Sequence, residues 1–216
     1  YSNASGSYVD LILILPQIEG DYKGIPAIND DFKGVEDFYY NELPELPEDI
    51  TNKISGIDSG YYRSAEYQMA LQNENIFSVS AKLDGGAGGV SWAGMAGATF
   101  NLDTGKQLLL DDIFNVDEDV YMSKIYDLVS LEIEKSIKES NESGNGNLYF
   151  FDDPYSGEGY KAIREAFIST HFYLTQDALV VFYDKYVLAA GAAGPLSYSI
   201  PYNELTGILD LDLKTP

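Results

Sequence analysis

Few residues in this chain have the types that chemistry requires. It contains one histidine, His171, and no cysteine, so it offers neither a thiolate nucleophile nor sulfur ligands for zinc. A lone histidine beside an apolar strand is more often a packing residue than a general base. The 35 Asp and Glu residues could include a glycosidase-type pair, but no spacing singles out two of them. We therefore expect a protein that is not an enzyme and that has no metal or other cofactor.

A glycine-rich stretch at residues 84–97, DGGAGGVSWAGMAG, raises the question of a phosphate loop. Ser91 breaks the GxGxxG pattern, Gln107 stands where a P-loop needs Ser or Thr, and Ala93 stands where a hydrolase elbow needs glycine. These mismatches argue against nucleotide binding and serine hydrolysis. The glycines favour a β-bulge or a strand crossing, where backbone passes close to backbone.

Aromatic rings and acids are combined in the polar stretch of residues 140–159. Such a combination on a loop is typical of a protein-recognition surface. A calcium loop is one alternative, although the EF-hand spacing is missing. A solvated loop with one or two rings in the core is the structural alternative. The predicted partner-binding residues are Tyr149, Phe150, Asp152, Asp153, Tyr155 and Glu158.

The formal charge of −22 and the pI near 4.1 make nucleic acid and anionic lipid poor partners, because both bind through Lys and Arg. Such acidity favours solubility outside the cell, or long-range attraction of a basic partner that salt screens beyond roughly 8 Å. No run approaches the ~18 apolar residues that span a bilayer. Residues 2–4 resemble a vector remnant, so we expect that an N-terminal signal peptide or membrane anchor has been removed.

The first 49 residues of the chain are predicted to contain one strand and one helix. Residues 8–15 are extended and apolar up to Pro16. Asn29 or Asp30 can cap a helix that begins near residue 31. Its expected packing face consists of Phe32, Val35, Phe38 and Tyr39. Residues 43–49 hold two prolines among acids and predict a loop.

A hairpin follows, with strands at residues 61–71 and 76–83 and a polar four-residue turn between them. In the second strand, small and polar residues alternate with Phe77, Val79 and Ala81, which predicts that one face is buried.

A long amphipathic helix is predicted to begin after Asp117. Acids at its start and Lys135 and Lys138 near its end complement the helix dipole. Its expected core stripe is Met122, Ile125, Val129, Ile133 and Ile137. A shorter helix is expected at residues 159–167.

The C-terminal region predicts a second set of strands. Phe172–Leu174 and Ala178–Tyr183 flank a short polar turn, and residues 197–200 form a further strand that Pro201 ends. Residues 202–205 predict one helical turn, and residues 208–213 could form an edge strand or fray.

These elements predict an α+β fold, in which antiparallel sheets pack with a long amphipathic helix and one or two shorter helices. We expect two segments, residues 8–110 and residues 111–213, packed as one compact unit.

The order of turn-linked strands, YVLAAGAAGP and SIPYNEL resembles the C-terminal segment of a bacterial extracytoplasmic family. That family is shared by the lysozyme-sensing anti-sigma-V factor and by the accessory domain of certain peptidoglycan deacetylases. The turn NLDTGK at residues 101–106 and the sequence DDIF at residues 111–114 are also similar to it. Two features depart from the family: Gly88 stands where histidine is common, and a Pro-Tyr pair is missing near residues 190–191.

This resemblance covers roughly residues 9–205 and implies a non-catalytic domain, because in the deacetylases the reaction belongs to a separate domain. By analogy with the anti-sigma factor, the acidic surface would capture a basic cell-wall hydrolase such as lysozyme. The alternative is a module that binds peptidoglycan or another cell-wall glycan through exposed tyrosines at residues 39–40, 61–62 and 155. In either case we expect an extracytoplasmic monomer that binds no nucleic acid and meets the membrane only through the removed anchor.

Overall fold

A computed structural model describes residues 9–42, 61–87 and 90–211, so the loop predicted at residues 43–49 lies outside the described residues. The described part has an α+β fold with two sheets, as the sequence predicts. The first sheet has the order β1-β2-β3-β4, in which β1 is parallel to β2 and the other pairs are antiparallel. Its strands are β1 (Val9–Ile14), β2 (Tyr61–Gln72), β3 (Ile76–Ala87) and β4 (Val90–Asn101).

The predicted hairpin of β2 and β3 is confirmed together with its polar turn, in which Asn73 Oδ1 accepts hydrogen bonds from the backbone N–H of Asn75 and Ile76 at 2.9 and 2.7 Å. For the glycine-rich stretch, the prediction of a β-bulge was wrong, whereas a close approach of backbones is found at Gly97, where an added Cβ would lie 2.6 Å from the Phe172 carbonyl oxygen. The described residues of this stretch continue β3 and form β4, and the two strands pair without a register shift. No bulge is therefore found between the described residues of β3 and β4, and Gly85 and Gly86 serve another purpose that is described below.

Helix α1 (Ile25–Asn41) begins six residues before the predicted position. Pro26 lies in its first turn, where the missing N–H of proline would have no helical partner in any case. Asn29 is inside the helix, and its side chain bonds both the N–H and the carbonyl oxygen of Ile18 at 2.9 and 3.0 Å. The predicted face is only partly buried: Phe32 and Tyr39 pack inward, whereas Phe38 is 53% exposed.

Strand β3 is buried on both faces between residues 76 and 81, so the prediction of a single buried face was wrong. Phe77 and Val79 pack against α1, together with Phe32 from the helix. On the opposite face, Ser78 and Ser80 are buried although they are polar. The cause is the second sheet, which covers this face and could not be read from the alternation within one strand.

The described residues of the C-terminal half form three α-helices: α2 (Leu110–Ile113), α3 (Glu118–Glu142) and α4 (Gly157–Glu165). The long helix is confirmed, and its stripe from Ile125 to Ile137 is buried, with Tyr121 buried one residue before the half-buried Met122. Because α3 extends to residue 142, Lys135 and Lys138 lie before its last turn, which contains no basic residue.

The second sheet has the order β5-β6-β7 and is antiparallel throughout. Its strands are β5 (Phe172–Leu174), β6 (Ala178–Tyr183) and β7 (Leu196–Pro201), which confirms the predicted hairpin and the final strand. Tyr202–Leu205 forms the predicted single turn as a 3-10 helix. The tail pairs with the end of α2 through an isolated bridge between Phe114 and Leu209, and the Asp210 N–H donates to the Ile113 carbonyl at 2.8 Å.

The two halves pack through the second sheet. Helix α3, this sheet and Ile76 from β3 share one hydrophobic core, whereas α1 and the other face of the first sheet form a smaller one. The first sheet thus lies between α1 and the second sheet.

Candidate functional site

The single histidine takes part in packing. His171 is half-buried, and its ring stacks on Phe182 with a centroid distance of 4.7 Å and an interplanar angle of 14°. Among the residues that the structure describes, no group of three or more His, Asp or Glu is placed to hold a metal ion. No helix within the same described ranges is long and apolar enough to cross a membrane. The candidate sites described below are surfaces at which a partner could bind.

The polar loop that carries the predicted partner-binding residues is attached to the core. Helices α3 and α4 take up both ends of the predicted stretch, so the loop itself spans residues 143–156. The Phe150 N–H donates to the Leu188 carbonyl at 3.0 Å, and the Ala190 N–H donates to the Leu148 carbonyl at 2.9 Å. These bonds hold the loop alongside the segment of small residues that precedes β7.

Anchoring divides the aromatic rings of the loop into two groups. Phe151 is buried, and the half-buried Tyr149 lies with its hydroxyl 3.4 Å from that of Tyr198. Phe150 and Tyr155 point outward, with 57% and 47% of their surface exposed. Of the three predicted binding rings, these two are available to a partner.

Two acids contact the exposed Tyr155: Asp153 accepts a hydrogen bond from its backbone N–H, and Glu134 lies beside its hydroxyl. Asp153 accepts hydrogen bonds from Ser156 Oγ and from the Tyr155 N–H, and these bonds hold the pKa of Asp153 below its usual range. Asp152 and Glu158 are exposed, and the Tyr155 hydroxyl lies 3.3 Å from Glu134 Oε2. Desolvation and the Glu134 carboxylate raise the pKa of Tyr155.

Sequence reasoning missed Glu134, because it lies on α3, 21 residues before Tyr155, and only the packing of the loop over the helix brings them together. We use the name acidic aromatic surface for Phe150, Asp152, Asp153, Tyr155, Glu158 and Glu134.

A second surface lies between α1 and β4. A cleft of about 530 Å³ separates the helix from this end strand of the first sheet, and we call it the α1–β4 cleft. Aromatic and aliphatic side chains line most of it, with polar groups from a few residues. Its lining includes Asp31, Val35, Phe38, Tyr39, Ala98 and Gln107.

Phe38 also belongs to a cluster of rings around Arg63. The guanidinium carbon lies 5.8 Å from the centroid of Phe38, 5.0 Å from Tyr39 and 5.6 Å from Trp92, all within the range of cation–π attraction. Arg63, Gly85 and Trp92 are partners across three neighbouring strands. A side chain on Gly85 would collide with the indole, because its Cβ would lie 2.3 Å from Trp92 Cε2.

The next glycine provides space in the same way. Gly86 is the partner of Tyr62, and a Cβ on Gly86 would lie 2.6 Å from the ring of that tyrosine. The glycine-rich stretch thus accommodates aromatic side chains from the neighbouring strands. A tryptophan opposite a glycine in two paired strands is a signal that could have pointed to this cluster from the sequence.

Comparison with known proteins gives a family match for part of the chain. Residues 111–203 match the family model described as "Protein of unknown function (DUF3298)". This DUF3298 segment runs from α2 to the 3-10 helix after β7, and it includes the acidic aromatic surface. No curated protein matches the chain.

Two solved structures resemble the fold. One is a member of the DUF3298 family from Bacteroides fragilis NCTC 9343, with a TM-score of 0.52 and 20% identity over 88% of this chain and 70% of that chain. The other is a DUF3298 family protein from Pseudomonas aeruginosa PAO1, with a TM-score of 0.54 and 16% identity over 94% of this chain and 93% of that chain. At these identities the likeness extends to the fold alone, but it covers both halves of the chain.

Proposed function

We propose that this chain is a non-catalytic extracytoplasmic domain that captures a basic protein through the acidic aromatic surface. The observation that carries the proposal is the exposure of Phe150 and Tyr155 on a loop that the core holds in place, with exposed carboxylates on the same loop and on the helices that flank it. Exposed rings on a rigid support resemble the anchors that dominate protein interfaces, because little conformational entropy is lost when a partner covers them.

The charge of the whole chain supports a basic partner. A net charge of −22 attracts cationic proteins at long range and raises the rate of encounter. The hydrogen bonds to Asp153 lower its pKa and favour its charged form, so this carboxylate keeps its negative charge at mildly acidic pH.

The resemblance to the lysozyme-sensing anti-sigma-V factor narrows the partner class to a basic cell-wall hydrolase such as lysozyme. We propose that this domain faces the cell wall, as the anti-sigma factor and the deacetylase accessory domains do. Membership of a shared fold alone does not determine the partner, so the test must be direct binding.

Isothermal titration of the protein with lysozyme at low and at high ionic strength tests the proposal. We expect binding at low salt that weakens as salt is raised, because salt screens the attraction between the carboxylates of this surface and the basic partner. The variant Phe150→Ser should weaken binding about tenfold or more if this ring is an anchor. Tyr40→Ser is the matched control, since Tyr40 is 57% exposed but lies on α1, and it should bind as the unmodified protein does.

Two results would contradict the proposal. One is the absence of any heat of binding at low salt, and the other is equal loss of affinity in the Phe150→Ser and Tyr40→Ser variants. The second result would show that the contact involves exposed rings in general and not this surface.

Glycan binding is the alternative proposal. Tyr40 and Tyr62 are 57% and 40% exposed, and their ring faces could stack on sugars, whereas Tyr39 is buried against Arg63. Sedimentation with insoluble peptidoglycan tests it. Recovery of all the protein in the supernatant would exclude this alternative.

A further inference from the structure

Strand β4 has the features of an edge that can accept another strand. Among the described residues it pairs with β3 on one side, and on the other side it has only an isolated bridge between Phe100 and Gln107. Natural proteins protect such edges with charged residues, proline, bulges or short length. Val90–Asn101 is twelve residues long, contains no charged residue and no proline, and pairs without a bulge.

The opposite edge of the same sheet is protected. Strand β1 is six residues long and carries Asp10, and Pro16 follows two residues after its end. The difference between the two edges indicates that the lack of protection is particular to β4.

Two hydrogen bonds show which residues of β4 direct their backbone outward. The carbonyl of Thr99 accepts from the Leu108 N–H at 2.7 Å, and the Asn101 N–H donates to the Lys106 carbonyl at 3.0 Å. Residues 99 and 101 therefore point away from β3. Because a strand alternates with a period of two, the backbone groups of Ser91, Ala93 and Met95 point the same way, beyond the part that residues 106–108 cover.

The α1–β4 cleft opens beside this edge. On the face of β4 toward α1, the small side chain of Ala98 leaves room below the helix, and Asp31 and Phe38 border the cleft from the helix side. A groove between a helix and the free edge of a strand is the arrangement in which proteins bind extended peptides by strand addition: backbone bonds form to the edge, and alternate side chains enter the groove.

We propose that β4 binds an extended, basic peptide segment of a partner protein, which adds a fifth strand to the first sheet and places alternate side chains in the α1–β4 cleft. The negative charge of the chain and the Asp31 carboxylate at the cleft select lysine and arginine in the peptide. A second copy of this chain is a poor occupant, because each copy would bring a charge of −22. This site is separate from the acidic aromatic surface, and its test uses different residues.

The probe is a capped heptapeptide of alternating lysine and valine, with alternating glutamate and valine as the comparison. Hydrogen exchange of the unmodified protein, followed by NMR, reports the site directly. We expect the lysine peptide to slow exchange of the Ala93 and Met95 amides, because these N–H groups gain partners, and the glutamate peptide to leave them unchanged.

Variants separate the edge from the cleft. Ala93→Pro removes an outward N–H without removing a bond to β3. It should lower the affinity for the lysine peptide about fivefold, which corresponds to the loss of one hydrogen bond. Asp31→Asn should lower the affinity for the lysine peptide about two- to threefold at low salt. Asp30→Asn is the matched control, because Asp30 lies on the same helix outside the lining of the cleft, and it should bind normally.

Several results would overturn the proposal: no protection of Ala93 and Met95 at millimolar lysine peptide, equal binding of the glutamate peptide, or exchange that slows with protein concentration alone. The last result would identify a second copy as the occupant. Absence of lysozyme binding to the unmodified protein leaves this test unaffected, so the two proposals can fail separately.

Discussion

The backbone N–H of Leu174 donates a buried hydrogen bond of 2.9 Å to Ser78 Oγ, across 96 residues of sequence. Leu174 lies on β5 at the edge of the second sheet, and Ser78 lies on β3 in the middle of the first sheet. The same hydroxyl is 2.8 Å from Thr99 Oγ1. The Ser78 hydroxyl thus provides the hydrogen-bond acceptor for a backbone N–H in the edge strand of the second sheet, although Ser78 itself belongs to the first sheet.

The first prediction concerns this serine. Ser78→Ala leaves the Leu174 N–H buried without its acceptor, which should lower the free energy of unfolding by about 1–3 kcal/mol. Urea denaturation measures the change. Ser91→Ala, at an exposed position of β4, is the control and should stay within about 0.5 kcal/mol of the unmodified protein. Equal stability of both variants would show that the bond is dispensable.

The second prediction compares two glycines of β4. A Cβ at Gly97 would lie 2.6 Å from the carbonyl oxygen of Phe172, so the two sheets would have to separate. Gly97→Ala should therefore cost about 1–3 kcal/mol of unfolding free energy. A Cβ at Gly94 would meet Leu83 at an ordinary 3.6 Å, and Gly94→Ala should be neutral or slightly stabilising. If both variants unfold at the same urea concentration, the close approach at Gly97 does not limit stability.

The third prediction uses the only tryptophan of the chain as a reporter. Gly85→Ala pushes the Trp92 ring away from Arg63, because the new Cβ would occupy the position of the indole. We expect the fluorescence emission of Trp92 to shift to longer wavelength as the ring becomes more exposed to water. Gly34→Ala on α1 has open space around its new Cβ and should leave the spectrum unchanged. An unchanged spectrum for Gly85→Ala would contradict the contact.

The fourth prediction concerns alkaline pH. Burial raises the pKa of Tyr183 and Tyr198 above the ordinary value of 10.0. In the unfolded chain these hydroxyls lose their protons near pH 10, whereas in the folded protein they remain protonated. The unfolded state then binds fewer protons, so the free energy of unfolding is unaffected below pH 10 and falls above it, by up to about 1.4 kcal/mol per pH unit for each tyrosine.

Urea denaturation at several pH values between about 9 and 11 measures this slope. Tyr183→Phe removes one titrating group and should make the slope shallower by about one proton, although it also loses the bond from the Tyr183 hydroxyl to the Ile163 carbonyl at 3.0 Å. A slope that is the same in the variant would show that Tyr183 ionises equally in both states.

Local sequence patterns were sufficient to predict the elements that are stabilised mainly by contacts between residues close in sequence. The stripe from Ile125 to Ile137 repeats at three- and four-residue steps, and the hairpin of β5 and β6 has its polar turn between two apolar runs, so both could be predicted. The start of α1 could not, because a proline is equally compatible with a loop and with the first turn of a helix. Its position there depends on the packing of Ile25 and Ile28 against the first sheet.

The sequence by itself determined the acidity of this protein, its α+β composition and the acids and rings of the loop before α4. Only the tertiary structure decided which of these rings face solvent, that Glu134 joins them, and that β3 is covered on both faces. The physical reason is distance along the chain. Helix and turn signals arise within a few residues, whereas the contacts of Ser78 with Leu174, of Tyr155 with Glu134 and of Arg63 with Trp92 form only when remote segments pack together.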